Sequence, residues 1–396
     1  MANGMKIQKT IRCGIIGLTK IKEKLLTEEY ENLQKFLHGD KNVKLYSVNK
    51  QQALRYYKKI KPNKEYPLSI RKDVIRVEKR NTKITHYWVR IPVAGKRGGI
   101  WLPIKPHEDI LPEYEICESK VFRNNNRWFI YITVSKYVEV NKVEDRKKIK
   151  GYQFGEIRCP VVIAIDIGDK NPITSVELWG HEKKNIQFLG KEIRGIRTKY
   201  YWIRKTIGRK KVKHGRKVIK KIGSKESRKV EDILHKITKR IIDRATELKQ
   251  QGYDPIIVCG DLKYLRKPRK KGEKRSRKLN RIIHSMPTQK ITVMLTYKSL
   301  WRGINVFIVN EAYTSKTCHK CGSRDTVIKG RYFKCNNCGL EYNRDLNGAI
   351  NIGNRLFGYM LKSRGRNGPA RTPTVDREIC GKFQHAMGEH PLFETG

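Results

Sequence analysis

The spacing of hydrophobic and polar residues changes several times along the chain, and each change predicts a different element. Residues 5–18 have the pattern of a strand, and residues 20–39 have that of an amphipathic helix. The apolar positions of this helix are Ile21, Leu25, Tyr30, Leu33 and Leu37. A second helical stretch covers 51–60, and from about residue 73 apolar and polar residues alternate, as in half-buried strands. We therefore predict that residues 1–150 form a small β-barrel-like unit with a helical insertion.

Beyond residue 150 the pattern indicates an α/β domain. The runs VVIAIDIG (161–168) and IIVCGDL (256–262) are apolar at nearly every position before their acids, which is typical of buried strands. A hairpin is predicted at 173–191, a strongly basic helical region follows it, and a further strand is predicted at 304–309. One helix of this region has an apolar stripe of Ile233, Ile237, Ile241, Ala245 and Leu248. Strands and helices in this order predict a mixed sheet.

The charge of the chain narrows the class of its partner. There are 88 Lys and Arg residues against 38 Asp and Glu, a formal net charge of +50 that favours nucleic acid as the neutralising polyanion. We see no long apolar segment, so we expect no membrane association. The stretches 204–229 and 266–281 suit contacts with a nucleic-acid backbone, although a solvated charged face is the common alternative. The candidate residues are Arg209, Lys210, Lys211, Lys213, Arg216, Lys217, Lys220, Lys221, Arg266, Lys267, Arg269 and Lys270.

Four of the nine cysteines form two C-x-x-C pairs that are separated by a short segment. Each pair presents two thiolates from one tight turn, and two such turns supply all four ligands of a tetrahedral zinc ion. Gly322 and Gly339 directly follow the pairs, as these turns require. We therefore predict a structural Zn²⁺ site rather than disulfides, in a reducing compartment. The ligands are Cys318, Cys321, Cys335 and Cys338.

Three acidic residues stand out by their context. Asp166 interrupts a buried apolar strand, where an ionised carboxylate is costly unless a cation or a hydrogen-bond donor meets it. Asp345 opens a predicted helix whose inward stripe is Leu346, Ile350, Phe357 and Leu361, and by itself it would only be a cap. Two aspartates from distant positions, with a third acid between them, predict a paired Mg²⁺ site that acts on a phosphodiester.

These motifs together resemble one known family. "AIDIG", "GDL", "YTSKTCHKCG" with "CNNCG", and "NRDLNGAINI" are similar, in this order and spacing, to the nuclease domain of the TnpB family. Its members are transposon-encoded RNA-guided DNA nucleases, related to type V CRISPR effectors and to Fanzor proteins. The resemblance covers about residues 155–360, and residues 1–150 match the family's wedge barrel more loosely.

The resemblance implies a fold and a division into domains. We expect an α/β ribonuclease-H-like (RuvC) domain with an inserted zinc ribbon, preceded by a wedge barrel with a helical insertion. The expected segments are a wedge strand at 1–18, recognition helices at 19–72, the wedge barrel at 73–150, the nuclease domain at 151–311, the zinc ribbon at 312–341, the C-terminal nuclease helix at 342–362 and a disordered tail at 363–396.

The second nuclease motif departs from the family pattern. Many members have Glu directly before "DL", whereas this chain has Gly260. Three interpretations follow: the nuclease is inactive, Asp261 substitutes, or the acid comes from elsewhere. Glu311 is our choice, because it follows a strand that should be parallel to and near the one ending in Gly260, and neighbouring strands are about 4.8 Å apart. Asp261 would keep a secondary role, and Arg344 either contacts the scissile phosphate or pairs with nearby acids.

The expected function is that of an RNA-guided, Mg²⁺-dependent DNA endonuclease with Asp166, Glu311 and Asp345 as ion ligands. Its partners would be a guide RNA, which reads the sequence by base pairing, and double-stranded DNA with a short flanking motif. One alternative is a nuclease-dead RNA-guided DNA binder that represses by occupancy. Another is a zinc-ribbon nucleic-acid-binding accessory protein. Monomer or homodimer, cytoplasm or nucleus, and the host stay open from sequence.

Overall fold

The computed structural model describes residues 5–62, 64–124, 127–140, 142–143, 159–210, 214–262 and 276–364, without the side chains of residues 142, 278 and 361–364. The chain divides after Val138 into two compact units. Residues 365–396 of the predicted tail and the basic residues Lys211, Lys213, Arg266, Lys267, Arg269 and Lys270 lie outside the described residues, whereas residues 363 and 364 of that tail belong to a helix.

The first unit is an eight-stranded antiparallel sheet with two helices. Its elements are β1 (Met5–Ile15), α1 (Lys20–Leu37), α2 (Ser47–Tyr56), β2 (Leu68–Ile70), β3 (Arg76–Lys79), β4 (Tyr87–Ile91), β5 (Ile100–Pro106), β6 (Glu115–Ile116), β7 (Ser119–Asn124) and β8 (Arg127–Val138). The strand order is β2-β7-β8-β1-β5-β4-β3, with β6 paired to β8. Strands β2 and β3 are the two edge strands of this order and do not pair with each other among the described residues. The predicted barrel-like sheet is therefore open.

Two details of the predicted insertion need correction. Ile21 is 74% exposed, whereas the buried face of α1 consists of Leu26, Glu29, Tyr30 and Leu33. The buried stripe is therefore rotated from the predicted one. It includes the carboxylate of Glu29, which accepts hydrogen bonds from Tyr46, Asn49 and Ala94. The strand β2 lies inside the predicted helical range 19–72 and pairs with β7, so the helical part of the insertion ends earlier.

The second unit contains a six-stranded mixed sheet, as the sequence predicts. Its strands are β9 (Lys142–Val143), β10 (Pro160–Asp166), β11 (Ile173–Trp179), β12 (Glu182–Leu189), β13 (Asp254–Gly260) and β14 (Asn305–Val309), in the order β12-β11-β10-β13-β14-β9. The strands β10, β11 and β12 are antiparallel, whereas β10, β13, β14 and β9 are parallel. Lys142 and Val143 thus belong to this sheet and not to the barrel that we predicted up to residue 150.

Helices cover both faces of this sheet. They are α3 (Lys191–Arg209), α4 (Gly215–Gln250), α5 (Arg277–Ser285), α6 (Thr288–Trp301) and α7 (Arg344–Arg364). Val161, Ile163 and Ile165 pack with α4 and α6, where the predicted stripe of α4 is buried or partly buried. Val162 and Ala164 point to the opposite face and pack with α7. The continuous apolar run of β10 is therefore explained by burial on both faces. No helix among the described residues is long and apolar enough to cross a bilayer.

A glycine lets α7 lie close to the sheet. A Cβ atom at Gly353 would collide with Leu178 and lie 3.1 Å from the Cβ atom of Ala164. We expect Gly353→Ala to lower the free energy of unfolding by about 1–3 kcal/mol, because the helix would have to move away from a packed core. The matched control is Gly358→Ala on the same helix, where a Cβ would meet nothing within 4 Å. The control should be neutral or stabilising by up to about 1 kcal/mol. Urea unfolding of both variants measures the difference, and equal effects would contradict the packing argument.

Candidate active site

Acidic side chains gather at one edge of the mixed sheet. Asp166 is the last residue of β10, Gly260 is the last residue of β13, and Glu311 follows the end of β14 by two residues. Because these three strands are parallel neighbours, their carboxyl ends meet at the same edge. The predicted adjacency of β13 and β14 is confirmed.

Asp345 comes to this edge from the first turn of α7. It is 8% exposed, and it is not the cap of the helix. Asn343 takes that role, since its Oδ1 accepts hydrogen bonds from the N–H groups of Asp345 at 2.9 Å and Leu346 at 3.2 Å. The carboxylate of Asp345 is therefore available for other contacts. Its Oδ2 accepts a hydrogen bond from Asn171 Nδ2 at 3.2 Å and lies 3.5 Å from Arg331 Nε.

A second glycine of α7 makes room for Asp166. A Cβ atom at Gly348 would lie 3.2 Å from Asp166 Oδ2 and 3.6 Å from Ser315 Oγ. The backbone of α7 therefore runs directly past the Asp166 carboxylate, one turn after Asp345. This arrangement brings the two aspartates close enough for the charge of Asp345 to act on Asp166.

The side chain of Glu311 lies over Gly260. A Cβ atom built at Gly260 would be 2.5 Å from Glu311 Oε2 and 2.9 Å from Glu311 Cβ. Any side chain at position 260 would therefore collide with the glutamate as it stands. The acid that follows β14 thus occupies the space that a side chain at the end of β13 would use.

Several hydrogen bonds hold the turn that carries Glu311. Arg355 of α7 donates to the carbonyl groups of Asn310 and Ala312, on either side of Glu311. The N–H of Ala312 donates to Asn310 Oδ1 at 2.8 Å, and Thr314 Oγ1 donates to the carbonyl of Glu311 at 2.8 Å. The glutamate is therefore placed by a fixed turn and not by a loose loop.

Burial and mutual repulsion raise the pKa values of two acids. The pKa of Asp166 is raised to about 7, first by burial and second by the negative charge of Asp345. The pKa of Glu311 is raised to about 8, first by burial and then by the charges of Asp166 and Asp261. Asp166 and Glu311 are both half-buried residues. Each acid senses another acid, which is the electrostatic situation that a bound cation relieves.

The two secondary candidates lie beside this group. The N–H of Asp261 donates to the carbonyl of Val309 at 2.7 Å and so extends the pairing of β13 with β14. Arg344 Nε lies 3.6 Å from Asp345 Oδ1, and its charge acts against the rise in the pKa of Asp166. The ion pair with Asp345 corresponds to one of the two roles considered for Arg344, and the contact with a scissile phosphate stays a prediction.

The four cysteines come together as the sequence predicts. The distance between Sγ atoms is 3.6 Å for Cys318 and Cys338 and 3.5 Å for Cys321 and Cys335, and all four Sγ atoms lie within 4.8 Å of one another. Tetrahedral zinc with bonds of about 2.3 Å requires a similar spacing. Both glycines after the pairs have positive φ angles, 74° at Gly322 and 67° at Gly339, and their N–H groups close the two turns.

The cysteines sit on a small three-stranded sheet that is tied to α7. Its strands are β15 (Thr326–Lys329), β16 (Tyr332–Cys335) and β17 (Glu341–Asn343). His319, which is 4% exposed, bonds to Asn347 Oδ1 through its backbone N–H at 3.1 Å and through its ring at 3.0 Å. Asn351 Nδ2 donates to the carbonyls of Thr314 and Thr317 at 2.8 and 2.7 Å. The segment between Glu311 and Cys318 is therefore fastened to the helix that bears Asp345.

Sequence reasoning missed four residues that build this site. They are Asn171, Asn347, Asn351 and Arg355. The spacing of Asn347, Asn351 and Arg355, each four residues after the previous one on α7, is the signal that could have revealed them. Asn171 has no such signal, because its partner Asp345 lies far away along the chain.

Six of the twelve basic candidates fall within the described residues. Arg209 and Lys210 end α3, and the others lie on the first turns of α4; all six are exposed. The four residues on α4 are Arg216, Lys217, Lys220 and Lys221. Their exposure is compatible both with nucleic-acid contacts and with a solvated face.

Comparison with known proteins places the chain in a family. A model of the Cas12f1-like TNB domain matches residues 289–352. The TnpB-like protein MJ0751 of Methanocaldococcus jannaschii is 32% identical over 196 residues, which cover 48% of this chain and 67% of that protein. The chain belongs to the TnpB family. Another relative, the TnpB-like protein aq_aa05 of Aquifex aeolicus, is 27% identical over 63% of this chain and 81% of its own length.

CRISPR-associated proteins are similar to this TnpB-family chain as well. The endodeoxyribonuclease Cas12f1 of Sulfoacidibacillus thermotolerans is 27% identical over 61% of this chain, which spans about half (53%) of that protein. A solved Cas12f1–sgRNA–target DNA complex contains a chain that aligns with 88% of this one at a TM-score of 0.37 and 15% identity.

Zinc content tests the cysteine cluster. We expect the purified protein to hold one zinc ion per chain and Cys335→Ser to lose it, because three ligands bind zinc much more weakly than four. The ribbon should then lose its protection from proteolysis. The control is Cys117→Ser, a buried cysteine outside the cluster whose Sγ lies 3.2 Å from Ser135 Oγ. Metal analysis and limited trypsin digestion measure both effects, and full zinc content in Cys335→Ser would contradict the assignment.

The raised pKa of Glu311 predicts a pH dependence of stability without magnesium. A carboxyl group with a raised pKa binds more protons in the folded state than in the unfolded state, so its destabilising effect grows as the pH rises from about 5 to above 8. The free energy of unfolding of Glu311→Gln should therefore exceed that of the wild type by about 1–3 kcal/mol at pH 8.5 and by much less at pH 5. Melting temperatures across this range, with the exposed Glu113→Gln as control, check the difference. Parallel curves for wild type and Glu311→Gln would show that Glu311 has an ordinary pKa.

Proposed function

We propose that this chain is an RNA-guided DNA endonuclease with a ribonuclease-H-like (RuvC) domain and an inserted zinc ribbon. The strand arrangement of the second unit supports this assignment. Strands β10, β11 and β12 are antiparallel, β13 and β14 are parallel to β10, and acids lie at the carboxyl ends of the parallel strands. Membership in the TnpB family and similarity to a protein named an endodeoxyribonuclease support the activity.

The position of Glu311 over Gly260 is the observation that carries the proposal. This position places a carboxylate where the acid of the second nuclease motif would otherwise lie. Here the carboxylate is held there by the turn at 310–314, with Arg355 on both flanking carbonyls. The glutamate has moved along the chain to the neighbouring strand, and Gly260 is the residue that leaves room for it.

The donor set fits a hard divalent cation. Asp166, Glu311 and Asp345 offer carboxylate oxygens, the ligands that Mg²⁺ prefers, and their repulsion favours a cation between them. Within the described residues only the cysteines form a group of three or more ligand residues close enough to share one ion. We assign the three acids to a site that would hold two Mg²⁺ ions.

The residues would divide the work of phosphodiester hydrolysis. When bound, Mg²⁺ supplies an activated water and stabilises the leaving oxygen. Asp166 and Asp345 anchor the site from the sheet and from α7, and Glu311 reaches it from the neighbouring strand. Asn171 and Arg331 hold the orientation of the Asp345 carboxylate through its Oδ2. Asp261, whose charge raises the pKa of Glu311, keeps a secondary role.

Nucleic acid supplies the partners in this proposal. A guide RNA reads the target by base pairing, and the protein contacts phosphates and a short motif in the flanking DNA duplex. The net charge of +50 and the exposed residues at the end of α3 and the start of α4 suit the phosphate contacts. The cluster of cysteines would hold structural Zn²⁺.

The test is cleavage by the complex with its own RNA. The protein is purified with the RNA that it retains, the RNA is sequenced, and a matching DNA library is incubated with Mg²⁺. We expect Asp166→Ala and Glu311→Ala to lower the cleavage rate about 1,000-fold or more, since each removes a ligand worth several kcal/mol. Asp261→Ala should keep most of the activity. Guide-dependent DNA binding, measured in parallel, serves as the folding control.

An exchange of residues sharpens this test. Gly260→Glu alone should lose cleavage, because its side chain collides with Glu311. Gly260→Glu combined with Glu311→Gly should recover cleavage to within about 10- to 100-fold of wild type, because the carboxylate returns to nearly the same space. Recovery by the double variant and not by either single variant would identify the shared position.

Other outcomes identify the alternatives. Guide-dependent DNA binding without cleavage by the wild type would mean a nuclease-dead binder, in which Glu311 is only a buried carboxylate. DNA binding that does not depend on a guide RNA would favour a zinc-ribbon accessory protein. Wild-type cleavage that survives Glu311→Ala would place the missing acid elsewhere.

A further inference from the structure

A buried amide beside the acids has an oxygen without a partner. Asn171 lies in the turn between β10 and β11 and is 1% exposed. Its Nδ2 donates to Asp345 Oδ2 at 3.2 Å, whereas its Oδ1 has no hydrogen-bond partner among the described residues. An unsatisfied buried acceptor destabilises the folded state, so such an oxygen calls for an explanation.

A second unpartnered oxygen lies in the same hairpin. Thr174 is directly opposite Asp166 in the antiparallel pair of β10 and β11, so both side chains are on the same face of the sheet. Thr174 is 1% exposed, and its Oγ1 also has no partner in the described part of the chain. The two unpartnered oxygens of the β10–β11 pair therefore belong to Asn171, which bonds to Asp345, and to Thr174, which is opposite Asp166.

The amide orientation follows from its neighbour. The NH₂ group of Asn171 faces a carboxylate, and an exchange of the two amide atoms would place an oxygen against an oxygen. The free acceptor is thus Oδ1, which shares its carbon atom with the nitrogen bound to Asp345. An oxygen in this place cannot relieve the repulsion among the acids, but it can add to the ligands of a cation that does.

Another buried asparagine shows what distinguishes Asn171. Asn49 in the first unit also has an unpartnered Oδ1, and its Nδ2 donates to Glu29 at 2.7 Å. That single carboxylate also accepts the N–H groups of Tyr46 at 3.1 Å and Ala94 at 2.7 Å. The Glu29 carboxylate is thus stabilised by several hydrogen-bond donors. Asn171, in contrast, contacts an aspartate whose negative charge opposes the ionisation of Asp166.

We propose that Asn171 Oδ1 is an additional oxygen ligand for the divalent cation held by Asp166 and Asp345. This inference rests on the proposed function, because it requires the acids to bind a cation. Asn171 then has two roles through one amide group: its nitrogen orients the Asp345 carboxylate, and its oxygen joins the coordination. Thr174, which is opposite Asp166 in the sheet, has a second buried hydroxyl oxygen without a partner among the described residues.

Metal binding by the full-length chain tests the proposal without relying on cleavage. Mn²⁺, which prefers the same oxygen ligands, is titrated into the RNA-free protein in high salt and followed by electron paramagnetic resonance. We expect Asn171→Ala to weaken Mn²⁺ binding about 10-fold or more. Asn171→Asp keeps an oxygen but loses the donor to Asp345, and it should bind Mn²⁺ at least as tightly as the wild type. Asn49→Ala is the matched control and should bind Mn²⁺ normally.

The outcomes separate this inference from the proposed function. Unchanged Mn²⁺ affinity in Asn171→Ala, with affinity lost in Asp166→Ala, would overturn the role of Asn171 only. Weak binding by both Asn171→Ala and Asn171→Asp would also overturn it, since then the NH₂ group alone matters. Unchanged affinity in Asp166→Ala would overturn the cation site itself. In the RNA complex, Asn171→Ala should raise the Mg²⁺ concentration for half-maximal cleavage about 10-fold while saturating Mg²⁺ restores the rate.

Discussion

The close approach of α7 to the mixed sheet is the constraint on which the site depends. Gly353 allows the helix to contact Leu178 and Ala164, and Gly348 lets its backbone pass the carboxylate of Asp166. The same helix carries Asp345 in its first turn and Arg355 three turns later. One helix therefore carries Asp345, passes the carboxylate of Asp166 and holds the turn of Glu311, which is how a site gains precision from a scaffold.

The small sheet with the four cysteines shares this helix as its support. Asn347 and Asn351 hold the backbone of residues 314–319 by side-chain hydrogen bonds, and this segment joins Glu311 to the first cysteine pair. The cysteine cluster and the acidic group are thus two ends of one fastened segment. A metal that folds the ribbon would at the same time limit the movement of the turn that bears Glu311.

The electrostatics of the acidic group contrast with the rest of the molecule. In a chain with a net charge of +50, the carboxyl groups of Asp166 and Glu311 lie where burial and nearby negative charges oppose their ionisation. Arg344 and Arg355 lessen the penalty without removing it, since the pKa values stay raised. Unfavourable electrostatics of this kind are typical of a functional site that binds a cation. Elsewhere in the fold, by contrast, the buried acid Glu177 forms an ion pair with Arg244 at 2.8 Å.

The amino-acid sequence alone predicted the main strands and helices and the residue types that could bind metal ions. Period changes and apolar runs predicted the two units and the buried strands, and local spacing predicted the cysteine site, because these signals depend on residues that are near each other in the chain. The barrel boundary at 150 and the face of α1 were wrong, because strand pairing and a buried carboxylate with distant donors decided them. Only the tertiary structure could show that Glu311 fills the space over Gly260 and that Asn171 meets Asp345. Those contacts join residues 51 and 174 positions apart, and their geometry arises only when the sheet and α7 are packed together.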